Sequence, residues 1–434
     1  MRVYNKHRGL LVLFAFLSAA IVLGFSDIPS YQGFSTVALN AYIAWLAQAT
    51  GWIGLFFLFW QTVLSNRLIV RKFTRDLTLT RSITTQLTLL ASVLLLIHPI
   101  ITAYTYGWEI LATILPRIAG FSLPAVIIGK LAILTLAVFW LAYIVNRFKP
   151  SASLPRYLRL TLHLALPLGF VHAYSLSRVL SNSDPALVGF FLIVFLYLVT
   201  IVLQTIHFFG FGQISYKLIA KKELNPKIYR FTFEPIKKPL KSLPGQYIFI
   251  KSRLFQYGYP LTVSQQIRKD KTLNLIVKLH GSSTSRFNKL QIGQTVKLDG
   301  PYGNFTKKIS AKKPTVLIAG GIGVIPFIEH ALASKNKHIF LFNCNHNLQS
   351  TFMRKELKLA LGRRYVDVLS ENSKGRNIEV GFITPDIIRK YISKDLAKLD
   401  FYICGPTPMM QSVREQLINY GVGRENITIE IFSS

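Results

Sequence analysis

The run Thr315-Val316-Leu317-Ile318-Ala319 passes without a break into Gly320-Gly321-Ile322-Gly323-Val324-Ile325-Pro326. The first stretch reads as a buried strand, and the second as a glycine-rich turn opening a helix. Such a turn lets backbone N–H groups approach a pyrophosphate at a helix N-terminus. Alone it also fits plain punctuation between two elements. Its neighbours decide. From Phe211 onward the chain reads as short alternating strands with Gly and Pro turns, then as strand–helix units. Pro244-Gly245-Gln246-Tyr247-Ile248-Phe249-Ile250 is a turn entering a strand. Tyr259-Pro260-Leu261-Thr262-Val263-Ser264 comes next, then Lys278-Leu279-His280-Gly281-Ser282-Ser283-Thr284, then Gly300-Pro301-Tyr302-Gly303. Beyond the glycine turn, Tyr402-Ile403-Cys404-Gly405-Pro406-Thr407-Pro408 closes another strand onto a helix, and Glu430-Ile431-Phe432 lies near the end.

Upstream of Phe211 the composition changes. The 434 residues are 51% hydrophobic with a formal charge of +32. Residues 1–210 hold only 15 Lys+Arg and 4 Asp+Glu, against 36 and 15 in the remainder. Long apolar runs with few charges are the pattern of a membrane domain. A basic chain can bind nucleic acid, but no recognition motif or aromatic-studded basic stripe is present, so no nucleic acid partner is expected. Attraction to anionic lipid headgroups or anionic cofactors fits better. Cys344 and Cys404, the two cysteines, imply no disulfide framework.

Apolar runs fall at 9–25, 41–65, 82–106, 124–146, 160–180 and 186–209. Each spans about 25–35 Å as helix, against a hydrocarbon core of roughly 30 Å. The first run, preceded by Arg2, Lys6 and Arg8, resembles a signal peptide. Charge asymmetry argues that it is retained. Loop 65–81 carries Arg67, Arg71, Lys72, Arg75 and Arg81, and loop 146–159 carries Arg147, Lys149, Arg156 and Arg159. The loops between carry Arg117 alone. Positive residues mark the cytoplasmic side, so a multi-pass cell-membrane protein with six spans and both termini cytoplasmic is expected.

Intramembrane ionisable residues are costly and point toward function. His98 lies about 24 Å along the third run from its inner end, and His172 about 20 Å along the fifth. Both runs point outward, so the two imidazoles reach similar depth and can clamp one haem iron from opposite sides. His163 precedes His172 by nine residues, half a turn out of phase on an ideal helix, although Pro167 can bend that relation. His207 reads as an interfacial residue at the inner end of the sixth run. The plain alternative for each is a hydrogen-bonded packing histidine.

With five motifs in order, residues 211–434 resemble the ferredoxin–NADP reductase superfamily. The whole chain resembles the ferric reductase and NADPH oxidase group of transmembrane flavocytochromes. That resemblance implies a six-helix transmembrane haem domain over 1–209, a small antiparallel β-barrel FAD domain over 210–310 and an α/β doubly wound NAD(P)-binding domain over 311–434. It places Tyr259, Pro260, Thr262 and Ser264 at the isoalloxazine and ribityl chain, with Tyr259 where the group often has Arg or His. Gly281, Ser283 and Thr284 match the turn at the flavin pyrophosphate. Gly320, Gly321, Gly323 and Pro326 match the nicotinamide-dinucleotide pyrophosphate turn, with Gly405 and Pro406 beside it. Cys404 matches the cysteine near the nicotinamide, Glu430 would neighbour the reacting rings, and Phe432 stands near the aromatic that shields the flavin. For the serines and threonines the bland reading is turn capping, and for Cys404 a buried structural thiol.

Two departures narrow these expectations. Two-haem members carry a second histidine about 13–14 residues upstream of each outer ligand. Here those positions hold Thr84 or Thr85 and Leu158 or Arg159, so one b-type haem is expected, held by His98 and His172. After the second nucleotide-domain strand, Leu341-Phe342-Asn343-Cys344-Asn345-His346 offers neither an acidic residue nor an arginine, leaving NADH and NADPH both open. The expected activity is electron transfer from cytosolic NAD(P)H through FAD and haem to an outer acceptor: a ferric chelate, dioxygen, a quinone or a partner protein. The competing expectations are a haem-free membrane flavin reductase and a membrane haem protein with an inactive reductase half.

Overall fold

The computed structural model describes residues 29, 36–112, 123–148, 161–251, 258–264, 271–279, 281–309, 313–333, 338–371 and 374–430. The run expected at 9–25 and the candidate Phe432 lie outside them. Contacts divide the chain into two units. One holds the helices up to Phe73 and from Thr78 to Thr205; the other holds Thr74–Leu77 and the chain from Ile206.

In the helical unit, Val37–Ser65, Leu77–Tyr106, Leu123–Leu141 and Asp184–Phe208 are long and apolar enough to cross a membrane, among the described residues. The fifth run is interrupted near its end. The helix Thr161–Leu176 stops there, and Ser177 then caps a separate short helix, Arg178–Asn182, by accepting the Leu180 N–H at 3.3 Å. Small residues let the helices approach, as in lipid, where close packing replaces the hydrophobic drive. A Cβ at Gly54 would sit 2.7 Å from Leu95, and one at Gly169 would lie against Leu55 at 2.5 Å. Phe56, Leu58, Leu87, Ala91, Leu136 and Leu166 fill the centre.

The second unit opens with a six-stranded antiparallel sheet: β1 (Ile214–Asn225), β2 (Ile228–Pro235), β3 (Tyr247–Lys251), β4 (Tyr259–Thr262), β5 (Leu273–Lys278) and β6 (Thr295–Tyr302). Their order is β4-β3-β6-β1-β2-β5, and a bridge between Val263 and Leu275 joins the outer strands into a small barrel. Alternation sets the faces: Tyr216 and Leu218 point into the barrel core while Lys217 and Ile219 are exposed.

The nucleotide domain is a parallel sheet of β7 (Thr315–Gly320), β8 (Ile339–Asn345), β9 (Tyr365–Leu369), β10 (Ile378–Val380), β11 (Asp400–Cys404) and β12 (Ile427–Glu430). Every residue of β7 is buried, as expected of a strand covered on both faces. The order β10-β9-β8-β7-β11-β12 reverses direction between β7 and β11. In an open α/β sheet that switch point, at the carboxyl ends of the strands, is where ligands bind.

Candidate functional site

His98 and His172 come together. Their ring centroids are 6.2 Å apart with planes at 81°. The His98 Nδ1 lies 2.7 Å from the Ala47 carbonyl, and the His172 Nδ1 lies 2.8 Å from the Ala125 carbonyl. A carbonyl only accepts, so each Nδ1 carries its hydrogen, and in the neutral ring each Nε2 keeps its lone pair. Metal-bound histidines use this outer hydrogen bond to fix tautomer and orientation. Glycines make room for both rings. A Cβ at Gly51 would meet the His98 ring at 3.0 Å, and one at Gly129 would meet the His172 ring at 2.6 Å.

Two metal–nitrogen bonds of roughly 2 Å plus the ring half-widths also total about 6 Å. Among the described residues no three His, Cys, Asp or Glu side chains gather as a metal cluster. Two imidazoles alone suit a metal whose remaining ligands come from a macrocycle. His163 is placed differently. Its carbonyl accepts the Tyr197 hydroxyl at 3.1 Å, and its buried Nδ1 has no hydrogen-bond partner among the described residues.

At the switch point the candidate nucleotide residues form one row. Ala319 pairs with Cys404, Cys404 with Glu430, and Gly320 with Cys344. A Cβ on Gly320 would reach the Pro406 ring at 2.7 Å, and one on Gly323 would strike the Cys404 carbonyl. The turn after β7 therefore approaches the end of β11 as only glycine permits. Gly321 adds a left-handed φ of +56°, which glycine tolerates without steric cost. The expected helix after this turn begins as a 3-10 segment, Gly321–Phe327, and turns α-helical at Ile328.

On the barrel side, Tyr259, Pro260 and Thr262 lie along β4, and Ser264 comes just after it. Tyr259 packs edge-on against Phe287 with centroids 5.8 Å apart. The Ser264 hydroxyl donates to the Asn274 carbonyl at 3.0 Å. Arg230, Ser264, Asn274, Ile276, Ile328 and Met353 line a shallow depression between barrel and nucleotide domain. Gly281, Ser283 and Thr284, expected as a turn, instead belong to the first half of a helix, Gly281–Asn288.

Cys404 is fully buried, and burial followed by the charge of Glu430 pushes its thiol well above the usual range. It stays an S–H group at neutral pH, suited to seating a ring and unsuited to nucleophilic attack. Glu430 is 9% exposed, and its Oε2 has no partner among the described residues. Burial and the nearby Asp76 push its carboxyl from 4.5 up to about 8. Asp76 belongs to this unit, and its neighbour Arg75 accepts the Gly303 N–H at 2.7 Å through its carbonyl.

Linkage gives the sign of the resulting pH dependence. Between about 4.5 and 8 the folded chain holds a proton on Glu430 that the unfolded chain releases. The associated stability is full below that window and is lost as pH rises through 8. Glu430→Gln is expected to flatten this slope and to gain up to a few kcal/mol on wild type above pH 8, at about 1.4 kcal/mol per pKa unit. Thermal denaturation at pH 6 and pH 9 checks it; parallel slopes in the two proteins would refute it.

Two buried networks carry no sequence signal. Arg354 Nε donates to Asp367 at 2.8 Å, the Tyr365 hydroxyl donates to the same carboxylate at 2.7 Å, and Asn343 donates to Tyr365 at 3.2 Å. In the other, His207 Nε2 lies 3.1 Å from the buried Asp299, which also accepts the Tyr302 hydroxyl at 2.8 Å. His207 is therefore more than an interfacial residue.

Residues 215–306 match the oxidoreductase FAD-binding domain family, and residues 317–415 match the oxidoreductase NAD-binding domain family. The second half is an FAD-binding and NAD-binding oxidoreductase module of the ferredoxin reductase type. A flavohemoprotein of Rhizobium meliloti (strain 1021) is 28% identical over 255 residues, covering 51% of this chain and 61% of that protein. NADH-cytochrome b5 reductase 1 of Lodderomyces elongisporus is 27% identical over 229 residues, covering 48% of this chain and 74% of that protein. The chain thus spans less than two thirds of the flavohemoprotein's own length. Among solved structures, the FAD/NAD-binding domain of nitric oxide dioxygenase from Vibrio cholerae O1 biovar El Tor is 21% identical with a TM-score of 0.44, covering 51% of this chain and 99% of that domain.

Proposed function

We propose that the chain is a membrane flavocytochrome that carries electrons from cytosolic NAD(P)H through FAD and a single b-type haem to an acceptor at the outer face. The His98–His172 pair carries the reading. Two neutral imidazoles, each tied back through Nδ1 to a carbonyl, stand 6.2 Å apart inside a unit whose helices reach membrane length. Their donor set fits haem iron. The glycine row at β7 and β11 fits a pyrophosphate, and the unpartnered Glu430 Oε2 fits a buried site that exchanges a proton with a flavin.

When bound, FAD converts a two-electron hydride into single electrons, and haem iron passes them one at a time. This chain's residues set the conditions. The backbone from Gly320 to Pro326, with Gly405 and Pro406 opposite, lets a dinucleotide approach the strand ends. The neutral Cys404 thiol seats the nicotinamide without reacting. Glu430, protonated at neutral pH, holds a proton at the buried strand end and keeps water from being its only source. Pro260, Thr262 and Ser264 line the flavin side, and Thr284 with the backbone of Gly281 and Ser283 meets its phosphates. His98 and His172 would hold a haem iron, with their ring orientations fixed by the Ala47 and Ala125 carbonyls. With both imidazoles serving as ligands, an acceptor would be reduced without binding the metal, which suits a ferric chelate, dioxygen or a quinone.

The test is an anaerobic reduced-minus-oxidised visible spectrum of the haem-replete protein after NAD(P)H addition. A bis-histidine α band appearing after flavin bleaching is the expected result. Flavin bleaching without any haem band would reduce the protein to a membrane-tethered flavin reductase.

A further inference from the structure

The last long helix ends against the barrel. Lys251 of β3 donates to the Phe208 carbonyl at 3.3 Å, Lys297 of β6 donates to the Phe209 carbonyl at 3.1 Å, and Gln213 donates to the His207 carbonyl at 2.8 Å. The register continues across the sheet from Lys251 to Lys297 to Ser215. Ser215 accepts the Ile236 N–H at 3.0 Å, so the loop after β2 starts beside the helix end. Its far end is pinned as well. Gln246 accepts the Leu243 N–H at 2.8 Å and donates to the Gly303 carbonyl at 3.1 Å, and the Gly303 N–H reaches Arg75, two residues before the helix Leu77–Tyr106. The loop is therefore strung between two points where the chain leads into apolar helices.

Its exposed side is amphipathic. Ile236 is 50% exposed, Leu243 49% and the neighbouring Phe211 62%. Lys237, Lys238 and Lys241 are exposed between them, with Lys217 on the adjoining strand. Residues 235–246 contain no Asp or Glu. Among the described residues none of these four ammonium groups is in an ion pair. The opposite end of β1 has a different use, because Asn225 donates to the Gln349 carbonyl of the nucleotide domain at 2.9 Å.

We propose that the 236–243 loop, with Lys217 and Phe211, is a docking surface for the anionic headgroups of the bilayer. The inference rests on the membrane reading of this chain. Lysines alternating with apolar tips are the composition of an interfacial segment, whose ammonium groups meet lipid phosphates while the tips enter the headgroup layer. Each lysine near an anionic leaflet strengthens attachment by about fivefold. A nucleic-acid surface would have no use for Ile236, Leu243 and Phe211. The surface would hold the barrel against the leaflet and limit its motion about the helix end.

The test uses the full chain in nanodiscs of phosphatidylcholine, with or without phosphatidylglycerol. An environment-sensitive fluorophore is attached at Leu243→Cys in a Cys344→Ser background, Cys404 being buried, and in a second sample at Lys227→Cys. Quenching by a headgroup-nitroxide lipid should be at least about threefold stronger at 243 when phosphatidylglycerol is present. The Lys237→Gln/Lys238→Gln/Lys241→Gln variant should fall back to the phosphatidylcholine level, and the label at 227 should respond to neither change. Equal quenching in both lipids, or no more at 243 than at 227, overturns the proposal. Quenching of the tryptophan emission, all of which arises between Trp45 and Trp140, by acyl-chain nitroxide lipids separates the two ideas. If those tryptophans are quenched and the loop is not, the docking surface alone fails; if neither is quenched, the membrane reading fails with it.

Discussion

Alanine at His98 or at His172 is expected to abolish the b-type α band, with haem content falling at least about tenfold in each single variant. Geometry sets this expectation. Each ring is held by its own carbonyl and faced by its own glycine, Ala47 and Gly51 for His98, and Ala125 and Gly129 for His172. No group of three or more His, Cys, Asp or Glu side chains stands among the described residues as another metal site. A single remaining imidazole would remove half of the protein's hold on the proposed haem. His163→Ala supplies the comparison, since its ring has no hydrogen bond to lose at Nδ1 among the described residues, and its band should persist. Pyridine haemochrome content and difference spectra of the three variants decide the matter. An α band that survives both His98→Ala and His172→Ala would return the pair to ordinary edge-to-face packing, which occurs at about 4.5–7 Å.

The second large effect is expected at Gly323→Ala. Its Cβ would be driven into the carbonyl of Cys404, with the Gly405 nitrogen at 2.9 Å behind it. Both obstacles are backbone, so no side chain can swing away and the turn after β7 must move off the end of β11. Overpacking of this kind costs about 1–3 kcal/mol. The displacement falls on the strand ends proposed to seat the nicotinamide, where a misplacement of about 1 Å costs on the order of 100-fold in rate. Stopped-flow reduction of the bound flavin by NAD(P)H should slow by about that factor, while haem content and reduction by dithionite stay at wild-type values. A variant that reduces flavin at the normal rate would remove the glycine row from the nucleotide site.

What the sequence disclosed depended on whether a residue type leaves alternatives open. Gly320, Gly323, Gly405 and Pro406 are legible because few other residues allow two backbones so near, and the neighbouring strands are nearly continuous apolar runs. His98 and His172 are legible by depth, since an imidazole in an apolar helix must be satisfied, and the structure shows the satisfying carbonyls. Gly281-Ser282-Ser283-Thr284 misled because its helix propensity is low, whereas the packing of Phe287 against Tyr259 and Phe231 holds that segment helical. The break in the fifth apolar run at Leu176 turned on the cap at Ser177, which hydropathy does not register. The approach of Asp76 to Glu430 and the pairing of His207 with Asp299 join residues far apart in the chain, and no period or spacing announces them.

The grip of the barrel on the last helical turn bears on how such proteins are cut and spliced. A gene fusion is usually expected to have its seam in a linker crossed by few bonds. Here the carbonyls of His207, Phe208 and Phe209 and the His207 ring are all engaged by residues beyond the helix. A piece starting at Phe211 would keep every strand yet strip the Asp299 carboxylate, 1% exposed, of the imidazole that it binds alongside the Tyr302 hydroxyl. Moving this oxidoreductase module onto another helical unit therefore means carrying Ile206 to Gln213 along with it, so the transferable cassette begins inside what looks like the neighbouring module.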